Sequence, residues 1–170
     1  MTTEIKIKQF KKGTEILRAG EVSKYCFKVL NGCLKSFTID KSGKENIIQF
    51  APEDWWISDL DSFINEKPSE LYISALEDTE VAYINKVDYD NFKHLSSSQL
   101  FEEVKILTKN IVWQNKRLIL LLGSTAEERY INFIQTYPKL YERLPLKMIA
   151  SYIGVTPEHL SSIRKQLSRK

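Results

Sequence analysis

Glu158, His159, Ser161, Ser162 and Lys165 place a carboxylate, an imidazole, two hydroxyls and an ammonium within eight residues near the end of a 170-residue chain. Leu160, Ile163 and Leu167 are interleaved with them at helical spacing, which puts the polar groups on the outer face of a helix and the apolar ones on its inner face. Short polar side chains on one helix face suit hydrogen bonding to base edges in a DNA major groove, where a carboxylate accepts from a cytosine amino group. Glu158 has a second reading, as a first-turn acid favoured by the helix dipole. Thr156 reads as the N-cap of this helix, with Pro157 at its first position, where a missing N–H costs nothing.

Upstream, Ile149, Ile153 and Val155 continue the apolar pattern around Gly154, and the small Ala150 precedes the glycine by four residues. The spacing predicts two short helices joined by a tight turn, with a small side chain where they lean together and φ > 0 at the glycine. An ordinary helical hairpin shares several of these features. The cap, the proline, the glycine and five apolar positions fit a helix-turn-helix together. From Pro145 to Lys170 five basic residues face the single acid Glu158, a local charge of +4. Lys147, Thr156, Arg164 and Arg169 are the expected phosphate contacts of such a patch.

The remaining composition excludes more than it assigns. Hydrophobic residues make up 42% of the chain, enough for a packed core. No 18-residue apolar run marks a transmembrane helix, and Met1 to Phe10 alternates polar and apolar residues unlike a signal peptide, so no membrane partner is expected and the cytoplasm is the expected compartment. From Glu53 to Glu80 nine acidic residues face the single basic Lys67, leaving the middle of the chain acidic and its end basic. Cys26 and Cys33 are too few for an iron–sulfur cluster or a four-cysteine zinc site and are expected to be buried thiols. His94 and His159 are far apart in sequence, so no metal site, no cofactor and no enzymatic activity is expected; P-loop and G-x-S-x-G motifs are absent.

Glycines at 13, 20, 32 and 43 separate short β-branched and aromatic runs, which predict strands over 5–10, 15–18, 25–30, 34–39, 45–50, 71–75 and 80–85. Asn31-Gly32 reads as a two-residue hairpin turn setting Leu30 opposite Cys33. A small helix is expected over Asp88 to His94. From about Gln99 the period changes to that of a long helix, with Val104, Leu107, Ile111, Gln114, Leu118 and Leu121 forming a heptad-like stripe. The stripe either covers the strands or forms a dimer seam with Gln114 as a polar register position; the seam is favoured, because Trp113 also needs burial. Gly123-Ser124 ends the helix, and Thr125-Ala-Glu-Glu128 is a capping box that starts the next, through about Thr136.

This order of strands, long helix and helix-turn-helix resembles the Crp/Fnr family of bacterial transcription regulators. The residues that carry the resemblance are Lys12-Gly13-Thr14 with Ala19-Gly20-Glu21, the strand from Tyr25 turning at Asn31-Gly32, Gly43-Lys44-Glu45, Glu77 to Ile84, Thr125 to Tyr130, and Ile149 to Lys165. The resemblance implies an α+β fold: an N-terminal double-stranded β-roll of jelly-roll type over 1–95, a long dimerisation helix over 96–123, and a C-terminal helix-turn-helix bundle over 124–170 without a full β-wing. It implies a homodimer on a palindromic double-stranded DNA operator with half-sites about one helical turn apart, and RNA polymerase as a candidate further partner. In this comparison Glu158 matches the family's base-reading glutamate, while Ser162 stands where many relatives carry an arginine, so specificity is expected to shift to His159, Ser161 and Lys165.

Departures from the family pattern bear on the effector, whose identity is open. Cyclic-nucleotide-binding members hold the ribose with Gly-Glu-Leu and the phosphate with Arg-Ser; here Ser58-Asp59-Leu60 and Ser69-Glu70 occupy those places. Asp59 retains an acceptor for a ribose hydroxyl, but Glu70 repels phosphate. Losing a buried arginine–phosphate pair costs on the order of 3–5 kcal/mol, so cyclic AMP is not the expected effector. Trp55 and Trp56, with Ile57 and Phe63, either line a pocket for a neutral or cationic small molecule or are core. The candidate effector residues are therefore Trp56, Ser58, Asp59, Leu60, Ser69 and Glu70. A regulator without ligand, and an interaction module that has lost DNA binding, remain alternatives.

Overall fold

Turn residues cut the first half of the chain into runs too short for helices and rich in β-branched and aromatic side chains, and these runs form strands. The structure, a computed structural model, describes residues 6–91 and 97–169, with side chains at 6–90, 105 and 108–169. The strands are β1 (Lys6–Phe10), β2 (Glu15–Leu17), β3 (Tyr25–Asn31), β4 (Leu34–Ile39), β5 (Glu45–Ala51), β6 (Trp56–Ile57), β7 (Tyr72–Ala75) and β8 (Thr79–Asn85). They form two four-stranded antiparallel sheets, ordered β1-β8-β3-β6 and β2-β7-β4-β5. Phe27, Val29, Ile57 and Val81 of the first sheet and Leu17, Leu34, Ala51, Ile73 and Ala75 of the second make one buried cluster. Each large apolar side chain in it contributes about 1.5–3 kcal/mol.

Asn31-Gly32 is not a hairpin turn. β3 and β4 lie in different sheets, Cys26 is opposite Ile84, and Leu34 is opposite Ala51 and Ala75. The chain crosses between sheets here because Gly32, at φ +92, lies against the turn before β8: a Cβ on it would stand 2.6 Å from the Asp78 carbonyl oxygen and 2.7 Å from Thr79 Oγ1. Thr79 Oγ1 accepts from the Cys33 N–H at 3.2 Å, which fastens the crossing.

Two helices accompany the strands, one of them not expected. α1 (Leu60–Asn65) starts at Asp59, whose side chain accepts from the Ser62 N–H. α2 (Lys86–Asn91) begins before the expected Asp88, because Asn85 Oδ1 accepts from the Asp88 N–H at 2.7 Å and so supplies a cap the pattern did not count. His94, the expected end of that helix, lies outside the described residues. Phe63 and Tyr89 meet edge to face at 5.3 Å, joining α1 to α2.

The second half is helical: α3 (Ser97–Gly123), α4 (Ala126–Thr136), α5 (Leu146–Ile153) and α6 (Pro157–Leu167). The capping box forms as its spacing predicts, Thr125 Oγ1 accepting from the Glu128 N–H and Glu128 Oε2 accepting from the Thr125 N–H at 2.7 Å. Rings of Phe133, Tyr137 and Tyr152 meet at 5.3 to 5.8 Å, beside buried Ile149, Ile153, Leu160 and Ile163. The chain divides into two compact units, Met1–Lys93 and His94–Lys170.

Candidate nucleic-acid interface

α5 ends as its sequence requires. Gly154 adopts φ 73, its N–H donates to the Ser151 carbonyl at 3.3 Å, and the Val155 N–H donates back to the Ala150 carbonyl at 3.0 Å. This paired closure turns the chain within one residue of the helix, and Ala150, fully buried, lets the helices close on each other. α6 then opens at Thr156, whose Oγ1 accepts from the His159 N–H at 3.2 Å, with Pro157 in its first turn. Leu160 and Ile163 are buried and Leu167 half-buried, so the inner face lies where the periodicity put it.

Glu158, His159, Ser161, Ser162, Arg164 and Lys165 are all exposed on α6, and so are Lys147 on α5, Thr156 and Arg169. The structure therefore brings the expected base-reading residues onto one helix, beside the expected phosphate contacts. The Glu158 carboxylate is held below its ordinary value by its own N–H and by the Thr156 hydroxyl. It is ionised at neutral pH, an acceptor only. Ser161 Oγ donates to the Pro157 carbonyl at 2.9 Å, and Ser162 Oγ donates to the Glu158 carbonyl at 3.1 Å. Each hydroxyl proton is thus committed to the helix backbone, while the oxygen lone pairs remain available to a base amino group.

On α3, Ile111, Gln114, Leu118 and Leu121 are exposed. The side chains of Val104 and Leu107 lie outside the described residues. The apolar face is wider than the heptad count predicts: Ile119 and Leu122 are 67% and 80% exposed, and Val112 is exposed as well. Leu121 turns partly inward, its methyl 3.6 Å from where a Cβ on Gly154 would stand. The sequence signal was masked by the unbroken apolar run Leu118 to Leu122, which fills five consecutive phases of a heptad and so favours no single seam.

In the β-roll, Asp59 and Ser69 bond to each other, while Ser58 bonds to the Tyr25 carbonyl and to the Ser23 hydroxyl. Ser69 Oγ donates to Asp59 Oδ2 at 2.7 Å, while Asp59 Oδ1 caps α1 through the Ser62 N–H at 3.1 Å. Ser62 Oγ donates to the Lys67 carbonyl and accepts from the Ser23 N–H; Ser58 Oγ donates to the Tyr25 carbonyl at 3.0 Å. Asp59 and Ser69 are buried, Ser58 and Trp56 half-buried, and Leu60 and Glu70 exposed. Trp55 packs against the core cluster. Asp59→Ala should remove both the helix cap and the Ser69 bond, lowering unfolding free energy by about 1–3 kcal/mol in a urea titration.

Both cysteines are buried thiols outside any disulfide, and burial pushes the Cys26 thiol up to about 11. At neutral pH it carries almost no thiolate, the form that reacts. Among the described residues no group of His, Cys, Asp or Glu side chains is placed to hold a metal ion, and no helix is long and apolar enough to cross a membrane.

A two-sheet roll with a capped short helix, followed by a long helix and a helix-turn-helix, is the architecture of one class of regulators, and sequence comparison places the chain within it. Residues 7–107 match the cyclic nucleotide-binding domain, and the chain belongs to that family, in its Crp/Fnr group of regulators. It is 27% identical to electron transport regulator A of Shewanella oneidensis over 92% of its length, covering 66% of that protein. It is 28% identical to the anaerobic regulatory protein of Aggregatibacter actinomycetemcomitans, again over 92% of its length, covering 64% of that protein. The chain thus spans about two thirds of the length of these relatives. The structure of FixK2 from Bradyrhizobium japonicum has the same fold, with a TM-score of 0.80, 19% identity, and coverage of 98% of this chain and 86% of that one.

Proposed function

We propose that the chain is a cytoplasmic transcription regulator that binds double-stranded DNA as a homodimer, with α6 in the major groove and the exposed apolar face of α3 as the seam between copies. The observation that carries this reading is the α5–Gly154–α6 unit, whose turn is closed by its own backbone and whose outer face offers Glu158, His159 and Lys165 to bases beside Lys147, Arg164 and Arg169. The regulatory names of the relatives and the Crp/Fnr resemblance support it. RNA polymerase is the partner an activator of this kind would engage.

The roll is read as insensitive to cyclic AMP. The serine in the first place of the phosphate-binding pair does not aim a cation at a ligand; it donates to Asp59, the residue that would otherwise meet a ribose. Millimolar cyclic AMP should leave the melting temperature unchanged in a thermal-shift assay, and an upward shift would restore the nucleotide-sensor reading.

Two variants separate base reading from phosphate contact. Glu158→Ala should redistribute affinity among duplexes enriched from a randomised pool, costing about 1–3 kcal/mol on preferred sequences only. Arg164→Ala should weaken every duplex alike and reduce the dependence of log affinity on log salt by about one unit. Equal losses on all sequences for both variants would sink the assignment. Because the Glu158 carboxylate titrates below its ordinary value, its contribution should persist as pH falls from neutral toward the ordinary carboxylate range and fade only below that range. Retention on a filter of random duplex at low salt, lost at moderate salt, tests the whole reading; no salt-dependent retention would favour an interaction module instead.

A further inference from the structure

The last turn of any α-helix leaves four carbonyls without intrahelical donors. In α5 these belong to Ala150, Ser151, Tyr152 and Ile153. The Val155 and Gly154 N–H groups take the first two, as described above. Side chains from the other helices take the remaining two. Arg117 of α3 donates through Nη2 to the Tyr152 carbonyl at 3.1 Å, and its guanidinium lies 4.2 Å over the Tyr152 ring. Arg129 of α4 donates through Nε to the Ile153 carbonyl at 2.8 Å and through Nη1 to the Ser124 carbonyl, just beyond the end of α3, at 2.7 Å.

This arrangement has a definite mechanical content. Both cations sit at the negative end of the α5 dipole, and Arg129 spans from there to the end of α3. A planar guanidinium with a fixed fork of donors sets direction as well as distance, which an ammonium does not. Leu121 also lies near the turn between α5 and α6, its methyl 3.6 Å from where a Cβ on Gly154 would stand.

We infer that Arg117 and Arg129 are positioning residues that lock the helix-turn-helix to the end of the long helix, so that the direction of α3 dictates the direction of α6. The inference rests on the DNA-binding dimer proposed above only for its consequence: in a dimer the lock fixes the separation and tilt of the two recognition helices and therefore the operator spacing. Neither arginine lies on the base-reading helix, so the lock changes which spacing is accepted and not which bases are read.

The test uses the full chain and its Arg117→Lys and Arg129→Lys variants. Nitroxides are placed at Lys109→Cys and Gln166→Cys, both exposed positions, with the native cysteines buried and labelled chains diluted by unlabelled ones. Pulsed electron resonance should give one narrow distance in the parent and a clearly broadened distribution in each variant, without any DNA present. Undisturbed distributions in both variants would overturn the lock, whatever the chain binds. On DNA, the probes are a duplex enriched by the parent from a randomised pool, the same duplex with one half scrambled, and the same duplex with two base pairs inserted at its centre.

The parent should prefer the intact duplex to the half-scrambled one by about 10²–10⁴-fold, the usual gain of bivalent binding. The variants should hold the half-scrambled duplex within about 3-fold of the parent, lose at least about 10-fold of the preference for the intact one, and accept the insertion. Their salt dependence should match the parent's, since no phosphate contact is removed. Equal loss on all three duplexes would mean a merely destabilised fold and would overturn the inference. Failure of the parent to bind any duplex would overturn the DNA-binding reading and leave the distance measurement to judge the lock.

Discussion

Leu118→Asp is expected to convert the proposed dimer to monomers and to lower affinity for a two-half-site duplex by about 10²–10⁴-fold, while leaving the fold of each chain intact. The side chain is 54% exposed in a single chain, so a carboxylate there costs that chain little. In a seam between two copies related by two-fold symmetry it would bring two carboxylates together in a desolvated strip. Truncating or opposing one partner of a buried charge costs about 3–5 kcal/mol, and here neither aspartate has a counter-ion. Ile111 and Leu122 flank Leu118 on the same exposed face, so no single alternative contact compensates. Sedimentation at micromolar concentration and titration of the enriched duplex report the two halves of the expectation. A Leu118→Asp chain that remains dimeric would place the seam elsewhere. Lys105→Asp, at an exposed position on the same helix, changes the charge by twice as much and should leave the dimer intact if charge alone is not the cause.

The second large effect is expected at Gly32. Gly32→Ala adds two costs. An L-residue in the left-handed region costs about 1–2 kcal/mol. The new methyl would also meet the Asp78 carbonyl oxygen at 2.6 Å and Thr79 Cα at 2.9 Å, both backbone atoms that cannot rotate away. Overpacking of that kind adds about 1–3 kcal/mol. Gly43→Ala supplies the comparison: its φ is +84, but a Cβ there meets nothing within 4 Å. Urea midpoints should therefore separate the two variants, Gly43→Ala losing only the conformational cost and Gly32→Ala losing roughly twice as much or more. Equal losses would mean that the crossing between sheets relaxes and that the close approach to β8 is not what keeps glycine there.

The same glycine shows where the sequence could be read and where it could not. Signals that act within a few residues carried through: the Thr125–Glu128 capping box, Thr156 and Pro157 at the start of α6, the φ of Gly154, and most strand positions. Each is decided by the chain's own neighbours. Asn31-Gly32 carries the local signal of a hairpin, but the sheet that each flanking strand joins is decided by β8, β5 and β7, which are distant in sequence. α1 went unread although Asp59 followed by apolar Leu60, Phe63 and Ile64 was a legible cap-and-face pattern; the helix is under two turns long, too short for its period to stand out. In the candidate interface, the exposed face of α6 was legible residue by residue. Arg117 and Arg129 were not, because nothing in the local sequence says that a guanidinium reaches across to the end of another helix.

The tethered hydroxyls of Ser161 and Ser162 bear on how quickly a chain of this kind would search a genome. Long side chains on a recognition helix must be frozen at each site they sample, and a flexible arginine or lysine costs up to about 2 kcal/mol of rotamer entropy when held. A serine whose proton already rests on its own helix backbone has little left to freeze. With two such residues at the centre of the face, the interaction energy varies less from one base step to the next, and charge-driven sliding along non-specific duplex meets fewer traps. On the proposed reading the helix would exchange some discrimination at those two positions for mobility, and would leave the decision to stop to Glu158, His159 and Lys165.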